Sequence, residues 1–440
     1  MPDTTRLLHS TVHSFEYHEG RLYCEDVDLA QAVAEFGTPL YVYSAGTIID
    51  HFTRLDAALA PLDHLICYAV KANSNRAILQ LLADIGAGFD IVSGGELFRI
   101  INAGGDPRKC TFAGVGKLRD EIEYALQQGV HSFNVESESE LEHIDRIAGE
   151  KKMRAPIALR VNPDIDPHTH KYISTGSHEN KFGIALGDAP AVYQRAAKMH
   201  NLDIVGLQMH IGSQITEAAP FAAAINKVAP LARDLKSKYG IKFFSIGGGM
   251  GIIYRRALES GSGKWWHNHG GEPSAFSIRD YANAIVAPLR ELGLRVFVEP
   301  GRFIVGNAGI LLTRVLYIKK AGQKKLAIVD AGMNDLIRPA LYQGYHEIIP
   351  ATEPTAHANK QKIDIVGPVC ESGDFFALDR EMPEIREDDL LAIMSAGAYG
   401  FTMASNYNSR ALPAEVLVRG DKARLIRKRQ AWDDLVKDEL

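Results

Sequence analysis

Leu65-Ile66-Cys67-Tyr68-Ala69-Val70-Lys71-Ala72-Asn73 is a short apolar run that stops at a lysine and an asparagine, and the stretch after it, Arg76–Ile85, repeats apolar residues at helical spacing. Strand, polar loop and helix follow one another, which is one βα unit. Seven more apolar runs extend the pattern: Gly88–Val92, Cys110–Ala113, Ser132–Val135, Ile157–Val161, Ile204–Ile211, Phe243–Ile246 and Arg295–Val298. Helical patterns lie between them at Leu118–Gln128, Ser137–Ile147, Pro190–Met199, Pro220–Tyr239 and Ile278–Leu292. Eight such units over about 250 residues predict a parallel (β/α)8 barrel. A doubly wound open sheet is the alternative, but it usually has about five to seven strands.

Beyond about Gly309 the rhythm changes. Ile310–Lys319, Lys325–Asp330, Lys362–Val366, Leu390–Met394 and Ala414–Arg419 are closely spaced strand patterns separated by turn residues. They predict a C-terminal antiparallel β domain. Arg21–Cys24 and Pro39–Tyr43 read as strands ahead of the barrel and are expected to join that domain. The expected organisation is therefore a discontinuous β domain, residues 1–44 and 303–440, around a barrel of residues 45–302.

Composition excludes several classes. Of 440 residues, 46% are hydrophobic and 23% charged, an ordinary globular mix. The formal net charge of −5 lacks the basic surplus of a nucleic-acid binder. No apolar run approaches the ~18 residues of a membrane span, and Met1–Gly20 has no apolar signal region. Cys24, Cys67, Cys110 and Cys370 are scattered, with no CxxC pair, so neither a disulfide framework nor a zinc site is expected. A reducing cytoplasm fits this usage. Lys437-Asp438-Glu439-Leu440 spells an ER-retrieval signal, which acts only on a protein in the secretory route and is read as a chance ending.

In a barrel, reactive groups gather at the C-terminal ends of the strands. The first strand delivers Lys71. Partial burial there would suit an amine that bonds a carbonyl, although alone it is equally a solvated lysine. The sixth delivers His210-Ile211-Gly212-Ser213, a ring that could stack and a hydroxyl that could meet an anion; a lone histidine is also a common core residue. The seventh delivers Gly247-Gly248-Gly249-Met250-Gly251, which could turn amides toward a phosphate or simply make a tight turn. The eighth delivers Glu299-Pro300-Gly301-Arg302, a carboxylate that could hold a proton on a pyridine nitrogen or form a structural ion pair. The β domain adds Asp330–Asn334 leading to Arg338-Pro339-Ala340-Leu341-Tyr342, the loop Gly367–Asp374 carrying Cys370 and Glu371, and Gly397-Ala398-Tyr399-Gly400.

Together, in this order and at barrel spacing, these motifs resemble the pyridoxal-phosphate enzymes of the alanine racemase fold, in the group-IV decarboxylase branch. Arg338–Tyr342, Cys370–Asp374, Tyr399 and Asn406–Arg410 narrow the resemblance to those acting on meso-2,6-diaminopimelate, and the match spans about Thr38 to Arg419. The resemblance implies decarboxylation of that amino acid to L-lysine and CO2, the last step of lysine biosynthesis, with pyridoxal 5'-phosphate as cofactor. It implies that Lys71 carries the cofactor covalently, His210 stacks on its ring, and Ser213 and the Gly247, Gly248 and Gly249 amides hold its phosphate. Gly301 and Arg302 lie near that phosphate, and Glu299 pairs with the ring nitrogen. Cys370 donates a proton at the reacting carbon. Arg302, Arg338, Tyr342 and Glu371 bind the far end of the substrate, and Tyr399 touches both ligands. It further implies a homodimer in which Cys370 and Glu371 come from the partner subunit, with a small-molecule amino-acid substrate and neither nucleic acid nor membrane as partner.

Chemistry supports these assignments. Loss of CO2 leaves a carbanion, which a protonated pyridine accepts better, so a carboxylate at Glu299 suits decarboxylation; racemases of this fold place an arginine there. Arginines pair a distal carboxylate in bidentate fashion and Glu371 takes a distal ammonium, which argues against the simple diamine precursors ornithine and arginine. Carboxynorspermidine stays open as a substrate. A non-catalytic cofactor-binding protein of the superfamily would lack the β domain. The stretch Ile252–Ser277, with Trp265–His269, exceeds the family pattern and is expected to be a surface insertion. His168-Thr169-His170 lies in a segment resembling the family's active-site loop, Tyr172–Gly176 to Lys181–Gly183, and no metal is assigned to it.

Overall fold

The computed structural model of the chain describes residues 13–165, 181–261 and 277–440. His168–His170, Tyr172–Gly176 and Trp265–His269 lie outside the described residues. The chain divides into two compact units. One holds the stretch from Phe52 to Gly251 and the one ending at Phe303. The other joins the N-terminal segment through His51, the stretch beginning at Ile252, and Ile304–Leu440.

The first unit is a closed barrel of eight parallel strands, in the order of the eight apolar runs. They are β1 (His64–Ala69), β2 (Gly88–Ile91), β3 (Cys110–Phe112), β4 (Ser132–Val135), β5 (Ala155–Asn162), β6 (Leu202–Met209), β7 (Phe243–Ser245) and β8 (Arg295–Val298). Each pairs in parallel with the next, and β8 returns to β1 with Val296 opposite His64, so no edge is left. The strands are buried almost throughout, which is why they read as continuous apolar runs. Phe243 and Phe297 stack 4.6 Å apart in the barrel core with Leu65, Cys67 and Ala158. At Gly206 a Cβ would sit 2.2 Å from the Phe243 ring, so that layer closes only over a glycine.

The helices form for local reasons that the sequence carries. Arg76–Asp84 starts where the Asn75 side chain accepts from the Ala77 amide, a cap worth about 1 kcal/mol, and it buries Ile78, Leu79 and Leu82. Each buried aliphatic contributes roughly 1.5–3 kcal/mol. Gly94–Asn102 was not legible, since it begins with two glycines, poor helix formers. The Ser93 cap and the burial of Leu97 and Ile100 override that propensity.

The second unit is built on one mixed sheet. Its strand order is Phe375–Pro383, Lys360–Val366, Lys324–Val329, Gly309–Ala321, Leu40–Ser44, Ala414–Arg419 and Lys422–Arg427. Leu390–Ile393 also pairs with Gly309–Ala321, and Ile348–Pro350 pairs with Leu390–Ile393. Leu40–Ser44 thus sits inside this sheet, as its apolar character requires. The sheet is mostly antiparallel, but two junctions are parallel: Lys324–Val329 with Lys360–Val366, and Leu40–Ser44 with Ala414–Arg419. Long connections permit this, whereas hairpins would not. Arg21–Cys24 lies instead in a three-stranded sheet with Phe15–His18 and Val27–Asp28. The described part of the expected surface insertion, 252–261, is only partly on the surface: Arg255, Arg256 and Glu259 are exposed. Ile252, Ile253 and Ala257 are buried, and the Ile253 carbonyl accepts from Asn307 Nδ2 (2.8 Å) and Ser395 Oγ (3.2 Å).

Candidate active site

The C-terminal ends of the barrel strands collect one polar cluster. Lys71 stands in the short turn Val70–Ala72 after β1, with Nζ 2.8 Å from Asp90 Oδ2 near the end of β2. The Lys71 side chain is 40% exposed and that of Asp90 is 1% exposed, so the amine caps a buried carboxylate at the mouth. Among the described residues the other carboxylate oxygen, Oδ1, is buried without a hydrogen-bond partner.

Glu299 follows β8 directly and is buried. Its carboxylate accepts from Ser245 Oγ (2.6 Å) at the end of β7 and from Gln208 Nε2 (3.0 Å) in β6. Burial, reinforced by Asp90, raises its pKa to about 7, against the lowering effect of Ser245, Lys71 and Gln208. His210, directly after β6, accepts the Gly248 amide on Nδ1 at 3.2 Å. An amide can only donate, so Nδ1 carries a lone pair and the proton sits on Nε2. Burial, with Arg160 and Lys71 nearby, holds this imidazole well below its ordinary pKa, so a neutral ring is stable there.

The glycine run is sterically obligatory. A Cβ on Gly248 would lie 2.2 Å from the Glu299 carbonyl oxygen, and Gly249 has φ +104° with Gly212 O at 2.4 Å from its Cβ position. The Gly247 amide donates to Ser245 Oγ (3.2 Å), and Glu299 N donates back to the Gly247 carbonyl (2.8 Å). Arg302 Nη2 donates to Ser213 Oγ at 3.1 Å, and Gly301 packs against Ala69 and Ala72. Lys71, His210, Ser213, Gly247–Gly249, Glu299, Gly301 and Arg302 therefore share one end of the barrel.

This donor set fits pyridoxal phosphate. It offers an amine, a neutral flat ring, a buried carboxylate whose pKa is raised by burial and by Asp90, and a backbone cradle that any Cβ would fill. Asp90, Gln208 and Ser245 were not singled out in the sequence. A lone polar residue within a buried strand run was the available signal.

Arg338, Tyr342, Cys370, Glu371 and Tyr399 belong to the second unit. Arg338 opens the one-turn helix Arg338–Tyr342 and is buried, while Tyr342 is half-buried. Cys370 and Glu371 are exposed on the loop after Lys360–Val366. Asp374 shapes that loop: its Oδ2 accepts from Val369 N and its Oδ1 from Met333 N, both at 2.6 Å. Asn408 Oδ1 accepts the Cys370 amide at 2.8 Å. Tyr399 holds a left-handed backbone, φ +56°.

Glu299 has a measurable signature in the cofactor-free protein. Its folded pKa of about 7 exceeds the ordinary 4.5, so between these pH values the folded state binds more protons than the unfolded one. Stability from this group is present below about pH 4.5 and is lost as pH rises through 7. Glu299→Gln is expected to reduce the fall in stability between pH 5 and pH 8 by about 1–3 kcal/mol. Unfolding midpoints across pH read this; identical slopes for variant and parent would contradict it.

Residues 45–306 match the family model described as pyridoxal-dependent decarboxylase, pyridoxal binding domain. The chain is 48% identical to diaminopimelate decarboxylase of Pseudomonas aeruginosa, over 97% of this chain and 98% of that one. It is 46% identical to the protein of the same name from Aquifex aeolicus, over 97% of each. A crystal structure of diaminopimelate decarboxylase from Helicobacter pylori complexed with L-lysine superposes with a TM-score of 0.85 at 41% identity, over 93% of this chain and 98% of that one. Agreement of this extent, over both units, places the chain in the diaminopimelate decarboxylase family of pyridoxal-dependent decarboxylases.

Proposed function

We propose that this chain removes CO2 from meso-2,6-diaminopimelate to give L-lysine, the closing step of lysine biosynthesis. The observation that carries the reading is near-full-length identity of 46–48% to diaminopimelate decarboxylases, joined to a barrel mouth that holds both an amine and a buried carboxylate. Pyridoxal phosphate, when bound, supplies the electron sink for the carbanion that CO2 leaves behind.

The residues divide the work. Lys71 would hold the cofactor covalently, with Asp90 fixing its Nζ at the mouth. Glu299, oriented by Ser245 and Gln208, would keep a proton on the ring nitrogen, and a carboxylate already raised to about 7 gains most from that cationic partner. His210 would offer its neutral face to the ring. Ser213, the Gly247–Gly249 run, Gly301 and Arg302 would receive the phosphate. Cys370 would deliver a proton to the reacting carbon.

Substrate choice falls to the other groups. Arg302, Arg338 and Tyr342 would take the distal carboxylate, Glu371 the distal ammonium, and Tyr399 would touch cofactor and substrate. Arginine and acid together suit a zwitterionic end better than a lone ammonium. In this reading the enzyme is a homodimer and each site draws Cys370 and Glu371 from the partner subunit. It also works in the cytoplasm, where the buried thiols of Cys24, Cys67 and Cys110 stay reduced.

CO2 release tests the reading. Holoenzyme is expected to turn over meso-diaminopimelate at least about 10³ times more efficiently than ornithine or arginine, since the latter lack the distal carboxylate that the site's arginines would bind. Faster release from ornithine, arginine or carboxynorspermidine would replace it with the corresponding relative.

A further inference from the structure

Cys370 is exposed, yet the backbone around it is held at successive amides. Val369 N donates to Asp374 Oδ2 at 2.6 Å, Cys370 N to Asn408 Oδ1 at 2.8 Å, and Glu371 N to the Val369 carbonyl at 2.8 Å. Gly367 N closes the loop on the Asp374 carbonyl at 3.1 Å. Asp374 Oδ1 also takes Met333 N, which ties the loop to the segment leading to Arg338. With the peptide planes on both sides of Cys370 fixed, its Cα–Cβ bond points one way. Rotation about χ1 is then the main freedom left to the thiol.

The acceptor for the Cys370 amide comes from the turn Tyr407–Ser409. Asn408 and Ser409 both hold a left-handed backbone there, φ +55° and +53°. That conformation suits asparagine and is uncommon for other residues with a side chain. The turn is braced on either side. Asn406 Nδ2 donates to the Arg410 carbonyl (2.8 Å) and to Gln430 Oε1 (2.6 Å), and Arg410 Nη2 donates to the Asp330 carbonyl (2.7 Å). Glycine would adopt the same backbone but carries no acceptor, so asparagine meets both requirements at position 408.

We infer that Asn408 is a positioning residue for proton delivery: it fixes the direction of the Cys370 thiol. The inference rests on the reading above that Cys370 is the proton donor. In that step the bond from the reacting carbon to its carboxylate breaks and CO2 leaves. The electron pair left on the carbon takes the proton of Cys370 Sγ, and solvent returns a proton to the thiolate. A donor acts only within hydrogen-bond reach, so a displaced thiol slows delivery and lets solvent compete from either side.

Two substitutions in the holoenzyme separate the backbone from the acceptor. Asn408→Gly keeps the left-handed turn and removes the oxygen, whereas Asn408→Asp keeps both. Asn408→Gly is expected to lower kcat for meso-diaminopimelate about tenfold, with KM within about threefold of the parent. Asn408→Asp should return kcat to within about threefold. Turnover in D2O reports direction. Lysine from the parent should carry deuterium in one configuration at the carbon that lost CO2, lysine from Asn408→Gly both configurations, and lysine from Asn408→Asp one again. Hydrogen exchange of the substrate-free holoenzyme reads the contact without turnover. The Cys370 amide should exchange about fivefold faster in Asn408→Gly than in the parent or Asn408→Asp.

Cys370→Ala separates the two ideas. Parental kcat and a single deuterium configuration in Cys370→Ala would remove the underlying reading. If Cys370→Ala is impaired while Asn408→Gly keeps parental kcat and a single configuration, the inference is overturned. It is overturned as well if Asn408→Asp is as impaired as Asn408→Gly, or if Asn408→Gly raises KM with kcat unchanged. Thermal unfolding and circular dichroism identify a variant that has lost its fold. Loss of fold in Asn408→Gly makes residue 408 a packing residue and likewise overturns the inference.

Discussion

Lys71→Ala and Lys71→Arg are both expected to lose at least about 10³-fold in kcat/KM for meso-diaminopimelate, because each removes the primary amine that would bond the cofactor and serve as the nearest base. The two variants differ in what they leave behind. Alanine strips the cation from Asp90, whose carboxylate is buried and bonded to Lys71 Nζ at 2.8 Å, so some stability goes with it. Arginine keeps a cation beside Asp90 but cannot bond a carbonyl at neutral pH. A loss of activity common to both, with Lys71→Arg nearer the parent in thermal stability, separates chemistry from structure. Retention of a tenth of parental activity by Lys71→Arg would take Lys71 out of its assigned role.

Mixing Lys71→Ala with Cys370→Ala protein is expected to restore activity that neither has alone. If each site draws Lys71 from one subunit and Cys370 from the other, a mixed dimer gathers both mutations in one site and leaves the second intact. Random exchange makes about half the dimers mixed, so activity should recover to about a quarter of the parental value by two-fold symmetry. Differently tagged subunits, pulled down through one tag, report whether exchange has occurred. Confirmed exchange with activity still at the level of the single mutants would mean that each chain carries its own complete site.

The barrel was legible because parallel strands covered by helices on the outside and side chains on the inside must be apolar throughout. Leu65–Val70 and its seven successors coincide with the eight observed strands to within a few residues. The second sheet was less legible at its margins. Phe375–Pro383 contains Asp379-Arg380-Glu381, and Lys422–Arg427 carries three basic residues among three apolar ones. Charged side chains are what edge strands carry to avoid pairing with another chain, so the signal that protects the edge also hides the strand. Ile252–Ser277 reads as a surface insertion because it exceeds the family pattern in length, yet the Ile253 carbonyl and the buried Ala257 tie its described part, 252–261, into the second unit's core.

The candidate site divides along similar lines. Residues that end strands or sit in glycine-rich loops announce themselves by position, as Lys71, His210 and Glu299 do. Their partners do not. Asp90 is one acid within Gly88-Phe89-Asp90-Ile91, nineteen positions from Lys71, and only the pairing of β1 with β2 brings the two together. Gln208 and Ser245 meet Glu299 across β6, β7 and β8 in the same way. His346 lies eight residues after Arg338, a distance that neither helix nor strand periodicity brings together. The turn after Tyr342, where Gln343 takes φ +53°, brings it back.

The central claim is that the chemistry is built on Lys71 at the barrel mouth. Reducing the holoenzyme with borohydride, digesting it and mapping the cofactor-labelled peptide tests it most directly. The label is predicted on the peptide containing Tyr68-Ala69-Val70-Lys71-Ala72-Asn73, at one equivalent per chain, with loss of the visible absorbance of the unreduced protein. A label on any other lysine, or a holoenzyme that borohydride leaves unlabelled, would contradict it.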